Sequence, residues 1–225
     1  MNFLALAKRL RQECGATGTD NTVVNATGEW SRLVNWIITA WEDIQNDQPN
    51  WLWMRKDFTF NTTPNKGEYS VVTDLGITDF AEWRKGSFRL YLSDAGIGNE
   101  LLIPYRNYEA FRDYYLLASR RLLSSRPTEI TVSPTQSLIL GLMPDNVYVV
   151  SGQYQKNSVL LAADTDTPDL PSRFHMVIVY RAMMSYGGFD AANEVYARGE
   201  KEYKKMMNEL ELSQLPSITR GGSLM

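Results

Sequence analysis

The sequence has very few residues that can bind a transition metal or act as a catalytic nucleophile. Its 225 residues include one cysteine, Cys14, and one histidine, His175. A disulfide within the chain is therefore excluded, and so are Cys–His catalytic pairs and zinc sites built from Cys and His within one subunit. We interpret Cys14 as a packing residue of an apolar helix face and His175 as a packed or interfacial residue.

The chain also lacks an excess of positive charge and a long apolar run. Its 23 Lys and Arg residues are outnumbered by 26 Asp and Glu residues, giving a net charge of −3. This balance argues against tight DNA binding through phosphate contacts. No segment approaches the roughly 18 apolar residues of a membrane span, and the apolar start is too short for a signal peptide. We expect a protein that is cytosolic when it is made.

Catalytic motifs are missing as well. The sequence contains no G-x-S-x-G elbow, no H-E-x-x-H pair and no phosphate-binding G-x-x-x-x-G-K-[ST] loop. We predict no enzyme and no cofactor, and a hydrolase with an unrecognised site is the weakest of the alternatives. Asp164, Asp166 and Asp169 are the candidates for a cation site, but their loop lacks the Gly and distal Glu of an EF-hand. Turn formation and helix capping explain these aspartates better.

Helical periodicity is clear at both ends of the chain. Apolar residues recur at helical spacing in 2–14, 28–46, 169–187 and 190–212. Gly15 is the expected end of the first helix, the pair Gly187 and Gly188 the end of the third, and Asp190 the N-cap of the last. The third helix is apolar nearly all round, which is typical of a helix at the centre of a bundle.

The middle of the chain has the texture of short strands and turns. A turn at 64–67 predicts a hairpin or meander, a turn at 94–99 predicts a second hairpin, and short helices are predicted at 79–85 and 107–117. Three antiparallel strands are expected between residues 129 and 154, with a turn at 143–146. The predicted strands are 51–54, 57–60, 69–72, 87–92, 100–103, 129–132, 137–140 and 147–154.

These patterns predict an α+β protein with three parts. Residues 1–50 and 169–212 form a helical bundle core, and residues 51–168 form an inserted antiparallel β domain with short helices. Residues 213–225 have little to bury and form a flexible tail.

The six tryptophans leave two interpretations open. Trp41, Trp51 and Trp53 can pack between the helices and the β region, which we favour because such large side chains need burial. They can instead form an exposed ledge that stacks on sugars or bases. A carbohydrate-binding module that uses these tryptophans, with calcium at Asp164 and Asp166, is therefore the alternative function.

Pieces of sequence along nearly the whole chain match one protein family in order. The chain resembles the tail adaptor, or head-to-tail connector, proteins of tailed bacteriophages, particularly the short-tailed kind. The matching pieces are 3–15, 36–37, 41–45, 51–55, 108–112, 126–127, 144–145 with Tyr148, 164–171, 174–175 and 212–216.

The resemblance implies a structural virion protein at the head–tail neck, present in the host cytoplasm during assembly. It implies a dodecameric ring beneath the portal protein, which extends the channel for the genome DNA without sequence-specific binding. Tail or nozzle proteins are the expected partners on the other side, with tail fibres as a further candidate. The tail after Leu212 fits portal binding, because a segment that orders on binding can delay assembly until the portal is present. Its portal-interface candidates are Gln214, Leu215, Pro216, Ile218, Arg220 and Leu224.

Overall fold

The computed structural model describes residues 1–17 and 21–216, and within these ranges it contains five α-helices and eight β-strands. The strands pair in antiparallel fashion, so the chain has the α+β class that the sequence predicts. The helices are α1 (Phe3–Cys14), α2 (Gly28–Asp47), α3 (Tyr108–Tyr115), α4 (Met176–Phe189) and α5 (Asn193–Gln214). The strands are β1 (Arg55–Asn61), β2 (Glu68–Tyr69), β3 (Phe80–Trp83), β4 (Arg89–Leu92), β5 (Leu101–Leu102), β6 (Glu129–Val132), β7 (Leu138–Gly141) and β8 (Tyr148–Lys156).

The chain folds into two compact units. The helical unit contains residues 1–54 and the described residues from Ser158 onward, and the strand-rich unit contains Arg55–Asn157. The unit boundaries thus differ from the predicted boundaries at 50/51 and 168/169. Trp51, Met54 and Leu161, which the sequence analysis assigned to the β domain, are buried in the core of the helical unit.

Helices α1 and α2 form as their sequence patterns predict. The Asn2 side chain caps α1 by accepting a hydrogen bond from the backbone N–H of Ala5 at 2.9 Å. Gly15 ends the helix in the left-handed conformation, with φ at 68°, which glycine adopts without steric cost. The buried residues of the two helices follow the predicted stripes: Phe3, Leu6, Ala7, Leu10, Trp30, Leu33, Val34, Ile37, Ala40, Trp41 and Ile44.

Helix α4 lies at the centre of the helical unit. It packs against α1, α2 and α5, and this explains why its sequence is apolar nearly all round. Arg181, on its outer side, donates from Nη2 to Asp43 of α2 at 2.7 Å. The side chains that α4 buries completely are Val177, Ile178, Val179, Ala182 and Met183.

Two glycines let α4 and α5 approach closely. A Cβ atom on Gly187 would lie 2.8 Å from both the backbone N and the Cβ of Tyr196, which is closer than atoms can pack. A Cβ atom on Gly199 would lie 3.0 Å from the Met183 Cβ and from the Tyr180 carbonyl oxygen. The predicted helix end at Gly187 and Gly188 is wrong, because these glycines serve helix packing and α4 continues to Phe189.

The predicted N-cap of the last helix is also wrong. Asp190 instead closes α4, where its backbone N–H donates to the Tyr186 carbonyl at 2.9 Å and its carboxylate accepts from the Tyr186 hydroxyl at 3.0 Å. Helix α5 begins at Asn193, after Ala191 has turned the chain with a φ of 51°. It continues two residues past the predicted end at Leu212.

Strand β8 organises the larger sheet. It pairs with β1 along one edge and with β3 and β4 along the other, and β5 pairs with β4 beyond them. The pairing of β4 with β5 confirms the predicted hairpin around 94–99. Gly152 is required in β8, since a Cβ atom there would lie 2.9 Å from the ring of Phe58 and 3.0 Å from that of Phe88.

The second sheet has three strands in the order β2, β7, β6. Strand β7 is buried on both faces, and the Phe111 and Tyr115 rings of α3 pack with its Ile139. Helix α3 confirms the helix predicted at 107–117, and the Asn107 side chain caps it by accepting from the Glu109 N–H at 3.0 Å.

Two predicted strand pairings are wrong. In the strand run 129–154, β6 and β7 pair as predicted, but β8 does not join them, because β7 and β8 already have neighbours along both edges and lie in different sheets. The turn at 64–67 does not join a hairpin either, since β1 pairs with β8 and β2 with β7. These pairings depend on which strand lies along each edge of its neighbour, and a local turn signal carries no information about that.

Two predicted elements have the wrong type. The run 51–54 is a 3₁₀ turn at Leu52–Met54 instead of a strand. The turn lets the Trp53 ring stack on Trp41 while the Trp51 indole N–H donates to the Ile44 carbonyl at 3.0 Å. The helix predicted at 79–85 is the strand β3. Its Phe80 and Trp83 rings pack on Tyr154 of β8, and this burial outweighs the helix propensity of the intervening Ala-Glu pair.

The close approach of α4 and α5 yields a prediction with an internal control. We expect Gly187→Ala to lower the free energy of unfolding by about 2–3 kcal/mol, because backbone atoms of α5 cannot move aside easily. Gly188→Ala, in the same helix, has no atom within 4 Å of the added Cβ and is expected to be neutral or stabilising by up to about 1 kcal/mol. Urea unfolding of both variants tests this, and equal effects would contradict it.

Candidate functional site

The tryptophans do not form an exposed aromatic ledge. Trp41 and Trp51 are buried in the helical unit, and the Trp41 and Trp53 rings are stacked with their centroids 5.3 Å apart. Trp30 and Trp83 are buried and Trp36 and Trp53 half-buried, so none of the six tryptophans is an exposed residue. The aromatic feature that suggested a carbohydrate-binding module therefore belongs to packing.

Gln45 holds the chain where it re-enters the helical unit. Its buried amide accepts from the Val159 N–H at 2.9 Å and donates to the Val159 carbonyl at 3.2 Å. The Trp41 indole N–H donates to the same carbonyl at 2.7 Å. Three hydrogen bonds thus fix one backbone residue, and no local sequence pattern predicts them because the partners are more than a hundred residues apart.

The aspartate loop binds backbone N–H groups. The Asp164 carboxylate accepts from the Val23 N–H at 2.6 Å, and the Asp166 carboxylate accepts from the N–H groups of Ala162 and Ala163 at 2.8 Å each. These backbone hydrogen bonds hold the pKa of Asp166 below its ordinary value. The backbone of the same loop accepts hydrogen bonds from the first turn of α1, at Phe3 and Leu4.

This loop does not assemble a cation site with other acidic residues. Across residues 1–17 and 21–216, no group of three or more His, Cys, Asp or Glu side chains is placed to hold a metal ion. Carboxylate oxygens of Asp164 and Asp166 already accept backbone hydrogen bonds. The loop therefore joins the start of α1 to the segment before α4.

Substitutions in the loop test this structural role. We expect Asp164→Ala to lower the free energy of unfolding by about 1–2 kcal/mol, because the Val23 N–H loses its acceptor. Thr165→Ala, at an exposed neighbouring position, is the matched control and is expected to be neutral. Thermal unfolding of the wild-type protein is expected to be the same with and without calcium, and a calcium-dependent midpoint that disappears in Asp164→Ala would contradict the assignment.

His175 is buried and neutral. Its Nδ1 accepts from the α-amino group of Met1, so Nε2 carries the hydrogen and donates to the Leu170 carbonyl at 3.1 Å. Burial, followed by the nearby ammonium charge of Met1, lowers the pKa of His175 below 6.5. No carboxylate or nucleophile of residues 1–17 and 21–216 is bonded to the ring, so the contacts are those of a packed residue.

The buried imidazole makes stability depend on pH. The unfolded chain binds a proton at His175 near pH 6.5 and the folded chain resists it, so the free energy of unfolding falls as the pH drops below about 6.5. We expect a slope of at most about 1.4 kcal/mol per pH unit from this group. His175→Gln keeps a polar side chain but cannot titrate, and its unfolding between pH 7 and 5.5 should lack this part of the slope. Identical pH profiles would contradict the assignment.

Cys14 also fits a packing role. Burial is the main cause that raises the pKa of its thiol to about 12, so the reactive thiolate is scarce at neutral pH. The adjacent Glu13 accepts from Arg9 at 2.6 Å and from Arg198 at 2.7 Å, which joins α1 to α5.

A groove of about 310 Å³ on the strand-rich unit is one candidate for a catalytic cleft. Asp57 is the one carboxylate among the described residues that line it, and its oxygen accepts from the Gln153 amide at 2.9 Å. A hydrolytic site needs a second acid, a base or a nucleophile near such a group. Ser87 and Ser151 also line the groove, but Ser87 donates to the Arg84 carbonyl at 2.7 Å and Ser151 contacts the Glu100 carboxylate at 3.5 Å. The Asp57 carboxylate is paired with Gln153 and with neither of these hydroxyls.

The aspartate loop, His175 and Cys14 make structural contacts. Residues 1–222 match the family model described as SU10 adaptor protein. The chain belongs to the SU10 adaptor protein family. The resemblance to phage tail adaptors is thereby confirmed at the level of the family. No curated protein is significantly similar to this adaptor in sequence.

Membership defines the adaptor's general role. It is a structural component of the bacteriophage virion that associates with other phage proteins. No helix in the described part of this adaptor is both long and apolar enough to span a membrane.

The end of α5 carries the first of the predicted portal-interface residues. Gln214 is the last residue of the helix, Leu215 packs against the core of the helical unit, and Pro216 is exposed. The Leu215 N–H donates to the Glu211 carbonyl at 2.9 Å and extends the helical hydrogen bonding. Ile218, Arg220 and Leu224 lie outside the described residues, so their role stays a prediction.

Proposed function

We propose that this adaptor forms a ring beneath the portal of the phage head, extends the channel for the genome and seats tail or nozzle components. The family match over residues 1–222 carries this proposal, because it includes both compact units and not one shared module. The net charge of −3 is compatible with a channel through which DNA slides, since a strongly basic wall would retain the duplex.

A ring of identical subunits requires a heterologous interface whose rotation closes. In our proposal the ring has the dodecameric symmetry expected of the portal. Subunit contacts bury apolar surface, and both units have large apolar side chains available for this purpose. Phe189 of the helical unit is 61% exposed, and Leu122 of the strand-rich unit is 75% exposed.

The two units have different tasks in this proposal. The helical unit forms the body of the ring, and the strand-rich unit, inserted in the chain between its two segments, contacts tail, nozzle or fibre proteins. The position of Arg55–Asn157 between the two chain segments of the helical unit supports this division.

The last residues of the chain bind the portal in this proposal. Leu215 packs on the helical core, so the portal-binding segment starts after it and includes Ile218, Arg220 and Leu224. A segment that folds on its partner loses about 1–2 kcal/mol of backbone entropy per residue, so the portal must offer a long groove.

Deletion of residues 217–225 tests the portal contact. We expect the truncated adaptor to unfold at the wild-type temperature, because the deletion leaves Leu215 in place, and to lose co-sedimentation with purified portal rings. A variant with the same nine residues in scrambled order is the matched control for length and charge, and it should also fail to bind. Normal binding by the truncated adaptor would contradict the assignment of portal binding to residues 217–225.

A further inference from the structure

A cavity in the strand-rich unit has the size and lining of a socket for one apolar side chain. Its volume is about 210 Å³. A cavity of about 150 Å³ with apolar walls holds a benzene molecule, so a leucine side chain fits in this one. Its apolar walls include Tyr115, Leu116, Ile139 and Leu142.

The rim of this cavity is basic. Arg120 and Arg121 line it, and neither forms an ion pair with a carboxylate of the described residues. The Arg120 guanidinium lies 4.2 Å from the centroid of the Tyr114 ring, which restrains it at the rim. Glu68 is the one acidic residue in the lining, so the rim keeps a net positive charge.

The backbone around the cavity is strained. Leu142, in the wall, has a φ of 73°, and Ala118, in the segment after α3, has a φ of 51°. Non-glycine residues rarely adopt these values, and such strain is concentrated at binding and switch regions. The strained segment also exposes Leu117, Leu122 and Leu123 to solvent.

The end of α5 has the opposite charge and the complementary shape. Leu212 is 87% exposed, and Glu209 lies one helical turn before it. Between Met206 and Pro216 the sequence contains two Glu residues and no Lys or Arg. This surface therefore presents one protruding leucine beside acidic side chains.

We infer that Leu212 of one adaptor molecule docks into this cavity of a second molecule, with Glu209 facing Arg121. Leucine matches the apolar walls, and the acidic side chains of α5 match the basic rim. Because Leu212 and the cavity lie on different surfaces of the same chain, the contact is heterologous and can propagate around a ring. The inference rests on the proposed ring and assigns its subunit contact. DNA is a poorer occupant, since exposed leucines contribute nothing to phosphate binding.

Charge reversal across the contact provides the test, read by sedimentation velocity over a range of concentrations. We expect Leu212→Ser, Arg121→Glu and Glu209→Arg each to weaken self-association by more than about tenfold. The double variant Arg121→Glu with Glu209→Arg, and an equimolar mixture of the two single charge variants, should both recover association because opposite charges face each other again. Lys201→Glu and Leu160→Ser, at other exposed positions of the helical unit, are controls that should leave association unchanged.

Several outcomes overturn the contact. One is a wild-type adaptor that stays monomeric at about 100 µM, where a contact between standard-sized protein surfaces should be populated. Others are single variants that associate normally, or a folded double variant that stays dissociated. If Leu212→Ser loses portal binding but keeps self-association, Leu212 belongs to the portal contact instead of the subunit contact. The proposed role is tested separately by portal binding, so it survives failure of this subunit contact.

Discussion

The burial of α4 is the constraint on which the rest of the adaptor depends. This helix is apolar on nearly every side. Its apolar surface is buried only when α1, α2 and α5 surround it, and of these α1 and α2 precede the strand-rich unit in the chain and α5 follows it. The strand-rich unit must therefore return the chain to the helical unit, where Gln45 and Trp41 bind the Val159 backbone. Glycines at 187 and 199 then let α5 pack tightly enough to complete the cover.

The parts of the fold that could be predicted are those with local signals. Helices α1 and α2 follow from the spacing of their apolar residues, and the hairpin of β4 and β5 follows from its turn. Strand partners could not be predicted in the same way. β7 and β8 lie in different sheets because other strands occupy both edges of each, and no local pattern shows this. The strand β3 was missed because aromatic packing from Tyr154 determined its conformation.

In the candidate site, too, only the features with a signal in the sequence could be predicted. The low number of Cys and His residues and the absence of catalytic motifs directed attention to assembly, and the order of sequence pieces indicated the family that the match confirms. Sequence patterns could not show that α3, β7 and the segment after α3 create an apolar cavity with a basic rim. Nor could they show that Leu212 protrudes from α5, since a leucine near a helix end is equally compatible with burial.

In our proposal the surfaces of the adaptor are completed by other copies and by the portal. Electron microscopy of the purified adaptor mixed with portal rings tests this claim most directly. The account predicts a second ring of adaptor subunits, coaxial with the portal and with matching symmetry. Portal rings that remain bare at adaptor concentrations well above the portal concentration, or single adaptor molecules bound without a ring, would contradict it.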